Sequence, residues 1–154
     1  MTVSVVPLLI DAMVSLYTDE LPNIRVSDGT GVTDDPGDYL MVGVEDPFND
    51  AESAATTEGD WAGVGISAPR KEEGTVTCAA LCWSGDTNIK VVRDRVYDAV
   101  NSVATLHRDP YDVSLGVPQL LWTSFGTRTR LEQNQGDEGC YALLAFSVYF
   151  EAQI

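Results

Sequence analysis

The sequence predicts an α+β domain, a mostly antiparallel sheet with two helices on one of its faces. Three observations lead there. Two segments place apolar residues at helical spacing, one near the start and one just past the middle. Between and after them lie short runs that alternate apolar and polar residues, bounded by Gly, Pro and Asp punctuation. The order is α-β-β-β-α-β-β with a closing hairpin, which lacks the regular strand–helix alternation of a parallel sheet. At 154 residues the chain fits one domain, 1–154, with a single core.

The first helix runs over about 7–20, where Leu9, Met13, Leu16 and Tyr17 share a face and Leu21-Pro22 supplies the stop. "NIRVSD" follows as a short strand halted by "DGTG", and "VTDDPGD" is turn chemistry. "DYLMVGVEDP" is a second strand with Leu40, Val42 and Val44 on one side. Residues 46–73 show no period and are expected to form a long irregular loop, pinned by Trp61, with an irregular edge strand over Trp61 to Ser67.

Next comes "GTVTCAALCWSG", with Cys78 and Cys82 four residues apart. Thr, Val, Cys and Trp between glycine stops make a strand. On a strand the two thiols stand roughly 13 Å apart, too far for a disulfide or one zinc ion. On a helix they would be neighbours at about 6 Å. The strand reading makes Val76, Cys78, Ala80 and Cys82 core residues. Three cysteines, an odd number, read as reduced thiols in a cytosolic setting.

Asp86 or Thr87 is placed to cap the second helix. Ile89, Val92, Val96, Val100 and Val103 form its stripe, filled out by Ala99 and Leu106, and Lys90, Arg93, Asp94, Asp98 and Asn101 take the wet side. Asp109-Pro110 ends it. Two long strands close the chain, "PQLLWTSFGTRTRLEQNQ" and "GCYALLAFSVYFEA", joined by a somewhat long polar loop, "GDEG". In the last strand Cys140, Ala142, Leu144, Phe146, Val148 and Phe150 line one face. The other, Tyr141, Leu143, Ala145, Ser147 and Tyr149, is too apolar for plain solvent and calls for a cover, either the 46–73 loop or a neighbouring subunit.

Charge narrows the function classes. Nine Lys and Arg against 24 Asp and Glu leave a formal −15, which argues against binding nucleic acid through its phosphates. No apolar run approaches a membrane span, and the start has no basic leader. Catalytic motifs do not stand out. His107 reads as a cation at the helix terminus. "GVGISA" at 63–68 has no room for the helix a dinucleotide fingerprint opens, and "GISAP" at 65–69 is no nucleophile elbow. Asp34, Asp35 and Asp38 miss the spacing of a calcium loop. No enzyme activity, cofactor or metal is expected.

As a whole the chain resembles the tail terminator proteins of long-tailed bacteriophages, in particular those of actinobacteriophages. The likeness lies in the N-terminal helix, "DYLMVGVEDP", "RKEEGTVTCAALCWSGDTN", the valine-striped "VRDRVYDAV" and the hairpin "TRTRLEQNQGDEGCYALLAFSVYFEA". It spans nearly the whole length. It implies a virion protein, assembled in the host cytoplasm, that forms a homohexameric ring on the head-proximal end of the tail tube. Such a ring ends tube polymerisation and offers a docking surface to the head, so its partners are itself, the tail tube protein and a head completion or connector protein. DNA would pass through without specific binding.

On that reading six copies carry six times −15, or −90, and must hold together by apolar contact or bound cations. Tyr141, Leu143 and Tyr149 are the expected subunit interface. Asp46, Asp50, Glu52, Glu58 and Asp60 are an expected lumen or tube-facing acidic loop. The rival readings are another head–tail neck protein, an acidic binding module that occupies a basic partner, and an enzyme without visible motif.

Overall fold

The computed structural model describes residues 3–31, 37–45, 53–61, 69–108 and 114–154. Its elements are α1 (Val6–Glu20), β1 (Arg25–Asp28), β2 (Asp38–Val42), β3 (Ala55–Trp61), β4 (Arg70–Ser84), α2 (Ile89–Leu106), β5 (Leu120–Phe125), β6 (Arg130–Gly136) and β7 (Gly139–Gln153). The fold is α+β, with both helices packed into one core over a mixed seven-stranded sheet. Among the described residues β1–β2 is the one parallel pairing, and the rest are antiparallel.

The sheet is built on β4 and β7, fifteen residues each, paired from Lys71↔Gln153 to Ser84↔Cys140. Each is long enough to hold two short strands end to end on its outer edge. β4 pairs with β2 through residues 78–82 and with β3 through 70–76. β7 pairs with β6 through 139–145 and with β5 through 148–152. Because side chains alternate, the even-numbered residues of both strands point to the helices. Val76, Cys78, Ala80 and Cys82 on β4, and Cys140 to Ala152 at every second position on β7, are all buried. Each large side chain sealed this way contributes roughly 1.5–3 kcal/mol. α1 adds Leu9, Met13 and Tyr17, and α2 adds Val92, Val96, Val100 and Val103.

Several local expectations change. Residues 46–73 are not one loop: β3 occupies Ala55–Trp61 and β4 begins at Arg70, while 46–52 and 62–68 lie outside the described residues. Trp61 does not pin this stretch to the core, being 58% exposed at the strand end. The period was hidden because β3 is exposed along six successive residues, so neither face needed apolar side chains. "PQLLWTSFGTRTRLEQNQ" is two strands, β5 and β6, with a break at 126–129. The β6–β7 turn is tight, with Gly136 paired to Gly139 and only Asp137-Glu138 between them. Gly139 sits at φ +137, where a β-carbon would also run into the Ser84–Gly85 backbone. Asn88, not Asp86 or Thr87, is the N-cap of α2, and its side chain makes no capping bond. Asp109-Pro110 lies outside the described residues; α2 has already closed at Leu106.

Two buried polar groups fasten helices to sheet. Glu72 is fully buried on the helix face of β4. Its carboxylate accepts from the Ser4 hydroxyl at 2.6 Å and the Val5 N–H at 3.3 Å, with the Arg70 guanidinium 3.3 Å away. Val5, the N-cap of α1, has no capping side chain of its own, so a strand residue serves the helix terminus.

The second group is His107, which closes α2 but is not a surface cation: it is buried, with Nε2 bonded to the Tyr17 hydroxyl and Nδ1 2.8 Å from Thr123 Oγ1. A neutral imidazole donates through one nitrogen and accepts through the other, and either hydroxyl can complement it. Burial lowers the His107 pKa to about 4 and raises that of Tyr17 well above its usual value.

A lowered histidine pKa means the unfolded chain binds the extra proton first. The stabilisation is complete above pH ~6.5 and is lost as pH falls toward about 4, amounting to as much as ~3 kcal/mol. Relief of carboxylate repulsion acts in the opposite sense over the same range. The His107 contribution is therefore read by difference. Urea midpoints of wild type and His107→Gln should converge between pH 7 and pH 4.5; parallel curves would show that the imidazole is not buried neutral.

Candidate interaction surface

The odd-numbered residues of β4 and β7 point away from both helices, and register lays them out in rows across the sheet. At one end Tyr39, Leu81 and Leu143 lie side by side, with Glu132 at the margin. Met41, Ala79, Ala145 and Arg130 form the next row, and Trp83 pairs with Tyr141. Leu81, Tyr141 and Leu143 are half-buried and Trp83 is 38% exposed, so the row makes an apolar band that water reaches. On the opposite, helix-facing side Asp38 lies beside Cys82 and meets Arg95: the Arg95 guanidinium donates to both carboxylate oxygens and to the Trp83 carbonyl at 3.1 Å, tying α2 to β2.

Toward the other end the face turns polar. Thr77 and Ser147 pair, then Thr56, Thr75, Tyr149 and Ser124. Beyond them come Glu58, Glu73, Glu151 and Trp122, then Asp60, Lys71 and Gln153. Lys71 bridges Glu73 at 2.7 Å and Glu151 at 3.5 Å, and the Trp122 indole N–H donates to Glu151 at 3.2 Å. The hydrogen bond to Glu73 raises the Lys71 pKa, and the charge of Glu151 adds to it. Here the face opens into a hollow of about 500 Å³, lined by Thr56, Glu58, Glu73, Thr75, Trp122 and Tyr149.

Of the residues expected at a subunit interface, Tyr141 and Leu143 fall together in the apolar band. Tyr149 does not join them: six residues along β7, roughly 20 Å away, it lies in the acidic hollow. All three are half-buried. Of the acidic loop, Glu58 and Asp60 are exposed on β3, while Asp46, Asp50 and Glu52 lie outside the described residues, as do Asp34 and Asp35. The sequence reading missed Trp122 and Glu73 as neighbours. Only pairing of β5 and β3 to opposite edges of the β4–β7 ladder brings them together, and no spacing in the chain signals it.

The thiols offer no reactive centre. Cys78 and Cys82 are free and buried on the helix face, and burial pushes both pKa values up to about 12, with the Asp38 charge adding to the shift at Cys82. Among the described residues no group of His, Cys, Asp and Glu is arranged to hold a metal ion, and no helix is long and apolar enough to cross a membrane. No protein-family model matches the chain, and no curated protein matches it.

The two faces of β7 predict contrasting substitutions. Leu144→Ala empties a sealed site and should cost about 2–5 kcal/mol. Leu143→Lys places its charge on a half-open face and should cost under ~1 kcal/mol, measured by urea denaturation of the dilute protein. Equal losses would mean the second face is as closed as the first.

Proposed function

We propose that this chain is a structural protein of a long-tailed bacteriophage, assembling as a ring of six copies on the head-proximal end of the tail tube. The ring ends tube polymerisation and presents the docking surface to the head completion or connector protein. The resemblance of the whole chain to tail terminators supports the reading. The observation that carries it is the apolar band around Leu81, Trp83, Tyr141 and Leu143, water-accessible on a sheet whose other face is already filled by both helices.

The physics of assembly follows from charge. Each subunit brings −15, so contact between copies must overcome a repulsion that salt screens, with a Debye length of about 10 Å at 0.1 M and about 3 Å at 1 M. Burial of the band supplies the attraction. Asp46, Asp50, Glu52, Glu58 and Asp60 are assigned to the lumen or the tube-facing side, where like charge lets DNA pass without capture.

The test is mass and shape against salt. Sedimentation at rising sodium chloride should show oligomers growing with salt, and electron microscopy should show annuli. Tyr141→Glu/Leu143→Glu should remain monomeric throughout while still folding, its melting temperature falling by no more than about 8 °C. Mixed with polymerising tail tube protein, the wild type should shorten the tubes. Monomers at every salt and concentration, with no effect on tube length, would overturn the proposal.

A further inference from the structure

We infer that the free edge of β3 and the hollow beside it form a docking site for an extended basic segment of another protein, added to the sheet as a further strand. This does not rest on the ring reading, whose subunit contact is the apolar band; the two share only Glu58 and Asp60.

The first observation is the edge. β3 pairs with β4 on one side, and among the described residues no strand pairs with its other side. Half the backbone N–H and C=O groups of a strand in that position face outward, and Thr56 to Trp61 are all exposed, so no described residue shields them. β3 is seven residues long, enough for a bound strand to make several main-chain hydrogen bonds.

The second observation is the character of the neighbouring rows. Thr56, Glu58 and Asp60 alternate along β3 on the open face, so an added strand would lay every second side chain beside them. Four carboxylates, Glu58, Asp60, Glu73 and Glu151, share these rows with one ammonium, Lys71, among the described residues. Trp122 and Tyr149 wall the hollow with aromatic surface, which attracts cations through the ring face. Charge complementarity therefore selects Lys or Arg at alternate positions of the incoming strand. It also disfavours a second copy of β3, whose own Glu58 and Asp60 would meet like charge.

The probe is a synthetic hexapeptide, acetyl-Lys-Thr-Lys-Val-Lys-Thr-amide, titrated into the full ¹⁵N-labelled protein at low salt. Two further versions are N-methylated at alternate residues, one for each edge of the strand. The unmodified peptide should move the amides of residues 56–61 and the indole resonance of Trp122. One methylated version should bind as well, and the other, blocked on the edge that faces β3, should lose binding. Glu58→Gln/Glu73→Gln, both on exposed positions, should weaken the peptide about tenfold without shifting the melting temperature.

Equal binding of both methylated versions would reduce the effect to charge attraction and overturn the inference. So would an absence of shifts on β3 at millimolar peptide. Shifts there that depend on protein concentration alone would give the edge to a second copy, and equally overturn it.

Discussion

The β4–β7 ladder is the constraint on which everything else depends. Fourteen successive pairs join two strands far longer than any of their neighbours, so the flanking strands need not match them and instead divide each edge between two. That division gives the molecule two unlike ends on a single sheet. Residues 78–82 and 139–145 meet β2 and β6; residues 70–76 and 148–152 meet β3 and β5. The period of two then assigns each side chain of the ladder to the helix face or the opposite face, where Thr77, Ala79 and Ala145 at mid-ladder are also buried, and a slip by one residue would exchange the faces completely. Gly74 permits the ladder to run unbroken where it is most crowded. The Phe150 ring lies over it, and a β-carbon there would sit 2.7 Å from Phe150 Cζ.

Beside the apolar core, buried polar groups also fasten the helices to this frame. Glu72 reaches from the ladder to the start of α1, and His107 reaches from the end of α2 to Tyr17 on α1 and Thr123 on β5. Each is buried with its hydrogen bonds made, the condition under which such groups fix one packing rather than weaken it. Removing one partner would leave the other stranded, which costs more than the bond itself is worth. Arg95 does the same at the surface by spanning Asp38 and the Trp83 carbonyl, in a setting where solvent discounts the charge.

The face away from the helices carries two unlike surfaces. Its apolar band and its acidic hollow lie on the same strands but ask for different partners, one matched in shape and hydrophobicity, the other in charge. The strong net negative charge acts on both. It opposes association with any like-charged surface and favours contact with cationic segments.

Sequence by itself determined whatever depends on a local period or a local stop. The valine stripe of α2, the Leu9–Met13–Tyr17 face of α1, the strand around Cys78 and Cys82, and the one-sided apolar run of β7 were all legible, because burial of one face leaves its period in the chain. Only the tertiary structure decided β3, the split of β5 from β6, the burial of His107 and Glu72, and the meeting of Trp122 with Glu73 and Glu58. An exposed edge strand needs no apolar alternation, since its backbone bonds to β4 hold it in place. A buried histidine is neutral only because Tyr17 and Thr123, far away in the chain, close around it. Those outcomes belong to pairing between distant segments, and spacing along a single chain does not encode them.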